Sequence, residues 1–291
     1  MLAFCVLAPL GDSIAKALGG DVSLGMLLLV RFAVQALILL PVVWWTGIGL
    51  RLPAGTMWLT VMRTILHIIG IGLMFSALRY LPLADALAIA FIMPFILLLL
   101  GYFVMGEEVG TQRMAAVVVG FGGTLLVIQP NFAEVGLPAL LPLGVAVIFA
   151  LFMLVTRKIA KQIDPVKLQA VSGLQASLIL IPLMVMFPDG TITALGMPDG
   201  PTAALLLLLG GLGTAAHLAM TWSLRFAPAS TLAPMQYLEI PFGTLIGWLV
   251  FRDFPNGMAA IGIIITIAAG IYVIARERRL SQAPQPVSVE Q

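Results

Sequence analysis

Apolar residues run along this chain in stretches of about twenty, divided by short groups of glycine, proline and charge. Runs such as Ala204–Leu209 and Ile96–Leu100 are apolar at every position. A membrane β-strand, which alternates between lipid and lumen, would show a period of two instead. A bilayer-spanning helix needs roughly 20 mainly apolar residues and satisfies its own backbone hydrogen bonds. The pattern therefore predicts ten spanning helices, near residues 1–19, 23–46, 57–78, 83–105, 111–129, 137–156, 166–187, 202–223, 230–250 and 257–275.

The two halves of this pattern echo each other. Ala77-Leu78-Arg79-Tyr80-Leu81-Pro82 recurs as Ser223-Leu224-Arg225-Phe226-Ala227-Pro228, each between the third and fourth spans of its half. Phe91-Ile92-Met93-Pro94-Phe95 matches Leu238-Glu239-Ile240-Pro241-Phe242, and Glu107 corresponds to Asp253. Five spans per half is an odd number, so the second copy must enter the bilayer upside down relative to the first. The expected fold is an all-α polytopic membrane protein, ten transmembrane helices as two inverted five-helix repeats over residues 1–135 and 136–278. A disordered cytoplasmic tail is expected over 279–291, which contains Pro284 and Pro286.

Composition agrees. Of the 291 residues 61% are hydrophobic and 10% charged, with a mean hydropathy of +1.10, whereas soluble domains are about a quarter charged. The N-terminus is read as a retained helix, since it has no basic region ahead of the apolar run and Ala17-Leu18-Gly19-Gly20 is a poor cleavage site. The net charge of +2 is spread over helix ends, which excludes a nucleic-acid partner. One cysteine, Cys5, cannot build a disulfide framework or a cysteine metal site, and reads as packing filler. Lys and Arg set the orientation. With the C-terminus in the cytoplasm, Arg51, Arg113, Arg157, Lys158, Lys161, Lys167, Arg225, Arg276, Arg278 and Arg279 lie inside, and only Lys16, Arg79 and Arg252 outside. That bias places both termini in the cytoplasm of a bacterial inner-membrane protein.

An ionisable group at mid-bilayer costs about 2.5–3.5 kcal/mol, so each one needs a partner, a cavity or a function. Glu239 sits nine residues into the ninth expected span, about 13 Å from its start, with Gln236 and Tyr237 beside it. It could hold a cationic part of a solute, carry a coupling proton, or pair structurally with a basic residue on a neighbouring helix. Asp12 and Lys16, four apart, share a helix face and can pair there, with Lys16 snorkelling to the outer interface; Asp12 alternatively faces a cavity. Arg31 is too deep for easy snorkelling and is expected to form a structural ion pair, with Asp12 its natural partner. Arg63 and His67 form another same-face pair, in which Arg63 either snorkels or lines a cavity. His67 and His217 are the only histidines; an imidazole can carry a proton near neutrality, and equally can be a packing residue. Two histidines on separate spans with no matching carboxylates are not a metal site.

Trp44, Trp45, Trp58, Tyr102 and Trp248 read as interfacial anchors, while Tyr80 and Trp222 could be either anchors or solute contacts. Pro94 and Pro241, at matching places in their halves, each remove one backbone hydrogen bond and either free a carbonyl near mid-bilayer or simply kink the helix. No G-x-S-x-G, H-E-x-x-H or phosphate-binding loop is present, so no catalytic residues and no cofactor are expected. The function these features favour is a secondary transporter of a small organic solute by alternating access, proton coupling being one option. A membrane-embedded enzyme and a non-transporting membrane subunit are the alternatives.

Arg63, the segment Ala77 to Ala86 (Ala-Leu-Arg-Tyr-Leu-Pro-Leu-Ala-Asp-Ala), Pro94 and Gly106-Glu107, in that order and within a repeat, resemble the drug/metabolite transporter superfamily, in particular its EamA-like permeases. The resemblance covers about the whole chain. Tyr237-Leu238-Glu239 followed by Arg252-Asp253-Phe254-Pro255 is similar to the branch that contains S-adenosylmethionine uptake carriers, with riboflavin and amino-acid carriers in the same superfamily. It implies a basket of helices whose central cavity is lined by spans 1, 3, 4, 6, 8 and 9, with spans 5 and 10 peripheral. It also implies a polar leader before the first span; a start codon upstream or a dispensable leader would account for its not being seen here. The partners expected are a small-molecule substrate and the lipid bilayer; a homodimer is an open option. Single cysteines placed in the 157–167 and 188–200 loops should be labelled by an impermeant maleimide from opposite sides of the membrane; labelling of both from one side would overturn this topology.

Overall fold

Helix caps and breakers in the sequence set where each segment starts. Ser23 precedes α2 (Leu24–Trp45) and its hydroxyl accepts the Met26 amide at 3.2 Å. Asp164 precedes α8 and accepts from the Val166 and Lys167 amides at 2.9 and 3.3 Å, with Pro165 at the first helical position, where its missing N–H costs nothing. The computed structural model describes residues 1–105, 111–188, 190, 192–194, 196, 198–226, 232, 235–236 and 238–282. Among these it is helical throughout, without a strand.

The chain runs as α1 (Leu2–Leu18), α2, α3 (Met57–Ala77), α4 (Leu83–Ala90), α5 (Met93–Met105), α6 (Thr111–Val135), a 3₁₀ turn (Leu137–Leu140) leading into α7 (Leu141–Ala160), α8 (Pro165–Met186), α9 (Gly200–Phe226), α10 (Glu239–Ile246), a π-type turn (Gly247–Phe251) and α11 (Gly257–Gln282). Among the described residues six helices are long and apolar enough to cross a membrane: α2, α3, the Val118–Val135 part of α6, Leu137–Ala160, α8 and α9. Leu83–Leu97, Glu239–Phe251 and Gly257–Tyr272 are shorter apolar helices. Large apolar side chains such as Leu37, Leu178, Val185, Leu207 and Ile264 stand exposed around the outside, as a lipid-facing surface requires. Trp44, Trp45, Trp58 and Trp248 are exposed as well.

Three expectations need correction. The fourth segment is not one helix: it breaks at Phe91-Ile92, and Pro94 is the second residue of the helix that resumes, where the missing amide ends one helix and starts another. Pro241 likewise is the third residue of α10 and not the middle of a long helix. The C-terminal helix continues to Gln282, past the expected start of the tail. Glu107 and residues 283–291 lie outside the described residues, and the Tyr102 and Arg113 side chains are not described.

The most extensive packing is between α6 and α11, α2 and α8, α3 and α7, and α1 and α9, so each pair joins a helix before residue 136 to one after it. With no hydrophobic drive between helices in lipid, close approach depends on small residues. At the α2–α8 crossing a Cβ on Gly173 would stand 2.9 Å from the Ala36 amide nitrogen and 3.0 Å from the Phe32 carbonyl oxygen, backbone that cannot turn aside. Gly123 on α6 faces Gly262 on α11 in the same way, a Cβ on the former falling 2.9 Å from the latter's carbonyl oxygen. Gly173→Val should therefore destabilise the bundle by about 1–3 kcal/mol, read as a lower unfolding temperature in detergent. Gly211→Ala, which meets open space, should not lower it.

Candidate functional site

At the middle of the bundle the helices do not close on one another. The room left open to the centre of a water-sized molecule is about 100 Å³, enough for several waters. Its wall comes from α1, α3, α4, the start of α5, α7, α9 and the Gln236–Glu239 segment, the set implied by resemblance, with one addition: Arg31 from α2. Most of the wall is apolar, including Phe4, Phe75, Phe91 and Phe149; the polar groups are Asp12, Arg31, His217, Gln236 and Glu239. A mostly apolar cavity with a few placed polar groups is the usual form of a small-molecule site.

Glu239 opens α10, where the first amides of a helix lack partners and favour a nearby negative charge. Its side chain is 7% exposed, and neither Glu239 Oε1 nor Gln236 Oε1 has a hydrogen-bond partner among the described residues. Pro94 has no amide hydrogen for the carbonyl of Ala90, four residues earlier, and Ala90 lines the chamber. Cys5 is buried, with Sγ 3.3 Å from the Met235 carbonyl oxygen. Tyr237 lies outside the described residues.

The expected Asp12–Lys16 pair is not made. Lys16 Nζ turns away from its own helix, donates to Asp253 Oδ2 at 2.8 Å and the Leu81 carbonyl at 3.0 Å, and lies 5.0 Å from the Phe251 ring centre. A terminal acceptor pair on neighbouring segments outbids a carboxylate four residues back because the long lysine stem reaches both at once. Asp12 is thereby left facing the chamber. Arg31 is not the structural ion pair expected either. It is 2% exposed, and Nη1 and Nη2 have no partner among the described residues. Its Cζ lies 4.7 Å from the Phe32 ring centre, and its guanidinium rests against Gly213, where a Cβ would stand 3.0 Å from Nε.

Arg63 neither snorkels nor lines the chamber. At 0% exposure it donates from Nε to Thr156 Oγ1 at 2.9 Å, from Nη1 to Ser172 Oγ at 2.7 Å and from Nη2 to Thr221 Oγ1 at 3.4 Å, and its Cζ lies 4.6 Å from the Phe152 ring centre. Thr156 and Thr221 pass their own protons to the Phe152 and His217 carbonyls, which leaves their lone pairs turned to the arginine. One side chain thus ties α3 to α7, α8 and α9. Gln169 extends the net, donating to Thr221 Oγ1 at 2.7 Å and the His217 carbonyl at 2.8 Å, and Gln35 donates to the Gln169 carbonyl at 2.7 Å.

His67 meets His217 of the chamber wall, Nε2 to Nε2 at 3.4 Å, with Phe32 and Phe149 edge-on to His67 and Phe152 tilted against it. At that contact one Nε2 donates and the other accepts, the accepting ring carrying its own proton on Nδ1. No group of three or more His, Cys, Asp or Glu able to hold a metal occurs among the described residues. Tyr80, 54% exposed at the end of α3, and Trp222, 48% exposed on the outside of α9, are not brought to the chamber. Weighing ionisable residues alone overlooks Gly213 and the hydroxyls around Arg63; Asp85, a buried carboxylate that accepts from Asn131 Nδ2 at 2.9 Å, is ionisable but stands outside the candidates drawn from the sequence. The usable signal was the set of glutamines, serines and threonines inside apolar segments.

The EamA-like transporter family matches this chain over residues 1–129 and again over 136–276. A riboflavin transporter from Vibrio cholerae is 27% identical over 265 residues, 89% of this chain and 86% of its own. An S-adenosylmethionine uptake transporter from Rickettsia prowazekii is 24% identical over 274 residues, 94% of this chain and 90% of its own. A protein of known crystal structure, 21% identical, superposes with a TM-score of 0.70 over 96% of both chains, a likeness of fold. The buried arginine generates a test of its own: Arg63→Lys offers one compact ammonium in place of a planar fork and should cost about 1.5–3 kcal/mol of stability, measured by thermal unfolding, while the chamber residues stay in place.

Proposed function

The chain belongs to the EamA-like transporter family, and from that premise we propose that it is a secondary carrier moving a small organic metabolite across the bacterial inner membrane by alternating access. It is a transporter and not an enzyme, as its family and relatives are. The proposed architecture is ten spans in two inverted five-helix repeats, residues 1–135 and 136–278, with both termini cytoplasmic. The observation that carries the reading is the chamber, which keeps Glu239, Asp12 and Arg31 inside an apolar bundle without closing them on one another. A bundle built only for stability would pair or exclude such groups.

Two further features support it. Exchanging the halves, first span for sixth and so on, maps the α2–α8 and α6–α11 contacts onto themselves and turns the α1–α9 contact into the α3–α7 contact. A pseudo-two-fold axis in the membrane plane has that consequence, and it gives a carrier two related conformations. The polar ties also lie at opposite ends of the helices: Arg63 is near the start of α3, and Leu81, which receives Lys16, follows its end. In the alternating cycle the Lys16–Asp253 tie holds one mouth and the Arg63 net the other, each loosening in turn. Glu239 and the His67–His217 pair are the groups available to carry a coupling proton.

The named substrates of the relatives, riboflavin and S-adenosylmethionine, are the solutes to try first. Cells expressing the wild-type chain should take up one of them in labelled form faster than cells without it. Glu239→Gln should lower the initial rate by about tenfold or more, each decade being about 1.4 kcal/mol, at unchanged membrane expression. A wild-type rate in that variant would remove Glu239 from the mechanism.

A further inference from the structure

At one end of the bundle several cations are gathered without an anion to meet them. Arg51 lies in the connection between α2 and α3, and Lys167 in the first turn of α8, where its Nζ donates to the Arg51 carbonyl at 3.3 Å. Leu52 and Leu59 pack on the cluster of Ile159, Ile163 and Leu168. The connection is thereby folded onto the corner between α7 and α8, which carries Lys158 and Lys161. Arg51, Lys158 and Lys161 are exposed and Lys167 is half-buried, and none of the four forms an ion pair among the described residues. Asp164, the acid of this corner, is already engaged by the Val166 and Lys167 amides and by Arg225 Nη1 at 3.5 Å. The partly positive amides at the start of a helix also disfavour a cation there, so the position of Lys167 does not serve α8 itself.

Towards the middle of the same helices the surface turns apolar along a defined line. Leu174 and Leu178 stand about two and three turns beyond Lys167 on one face of α8, and both are exposed. Trp58, Ile65 and Ile69 make a stripe of the same spacing on α3, exposed as well. The two helices meet along this seam: Thr64 Oγ1 donates to Gln175 Oε1 at 2.8 Å, and Gln175 Nε2 reaches the Met57 sulfur at 3.8 Å at the exposed surface. A basic head therefore stands over an apolar seam edged by an indole. Charge and shape together select the ligand. A zwitterionic headgroup would bring an ammonium to four cations that lack counter-charge, and a soluble anion would leave the seam unused. A phospholipid with a net negative head uses both parts, since clustered Lys and Arg at a membrane surface attract anionic lipid.

We propose that this corner binds an anionic phospholipid, its phosphate between Arg51 and Lys167 and its acyl chains along the α3–α8 seam, with Lys158 and Lys161 adding to the attraction. The site goes beyond the carrier reading and is independent of which solute the chamber takes. A lipid seated there touches one helix from before residue 136 and one from after it, so its binding stabilises the packed bundle.

Thermal unfolding of the purified full-length protein in a neutral detergent tests this, with dioleoylphosphatidylglycerol, dioleoylphosphatidylcholine or inorganic phosphate added in turn. The anionic lipid should raise the unfolding temperature by about 3 °C or more over the zwitterionic one, and phosphate alone should not raise it. Salt at about 0.5 M should shrink that lead, because the charges involved are near the surface. Replacing both cations, Arg51→Gln with Lys167→Gln, should remove most of the lead. Arg252→Gln, which takes away an exposed cation beside Asp253 at the other end of the bundle, should keep it. If the double variant fails to fold, Arg51→Gln alone, which leaves the carbonyl that Lys167 uses, should already reduce the lead. The proposal is overturned if phosphatidylcholine matches phosphatidylglycerol, or if the folded variants at Arg51 and Lys167 keep the full lead. Loss of as much of the lead in Arg252→Gln would overturn it too, as would an equal shift from phosphate alone, the mark of a soluble-anion site.

Discussion

A guanidinium carried into a bilayer must find hydrogen-bond acceptors there, and the fold is organised around how this is done for Arg63. Its three donors reach hydroxyls on α7, α8 and α9, which are within range only when those helices stand in their observed register around α3. The hydroxyls can accept because Thr156 and Thr221 discharge their protons into the carbonyls one turn back. Among the described residues no carboxylate is involved, so the cation is held there without a second charge to bury. Apolar packing in lipid is nearly indifferent to small shifts of one helix along another; a net of this kind is not, and it specifies the arrangement that packing leaves loose.

From that tie the rest of the architecture follows along the helix axes. One turn along α3 from Arg63, His67 meets His217 of the chamber wall, with phenylalanines around the contact. At the far end Lys16 joins the end of α1 to Leu81 and Asp253. Between the two ends the helix breaks occur where the chamber needs them: at Phe91-Ile92 and at the start of α10, where proline prevents a continuous ladder of backbone bonds. The same interruptions that would weaken a soluble helix bring Ala90, Phe91 and Glu239 to the chamber wall.

Satisfied and unsatisfied polar groups are therefore separated in space. The ends are tied, and the middle holds Arg31, Gln236 and Glu239 with bonding capacity unspent. For a carrier this division has a physical sense. Interactions fully made in the empty protein would resist both the entry of a solute and the exchange of conformations, whereas groups left open supply differential affinity, which is what lets a ligand shift the balance between states. The unpaired groups reduce stability, and the extensive helix contacts between the two halves offset that loss.

Much was legible in the primary structure. The bounds of α2, α3, α8 and α9 lie within a few residues of the apolar segments, because hydrophobic length and caps such as Ser23 and Asp164 are local properties. The cost of burying charge singles out Glu239, Asp12, Arg31, Arg63 and both histidines from the sequence alone. What it did not decide was pairing. Asp12 and Lys16 satisfy the spacing for a bond on one helix face, yet Lys16 finds Asp253, 237 residues away in sequence. Arg63 and Arg31 look alike as lone arginines in apolar runs, and only the convergence of Thr156, Ser172 and Thr221 on one of them makes it structural. Tyr80 and Trp222 sit near the echoing motifs but turn outward. Sequence determines what each residue can bond and how much it costs to bury; which partners come within 3 Å depends on how the helices are rotated and crossed, and that is a property of the packed bundle as a whole.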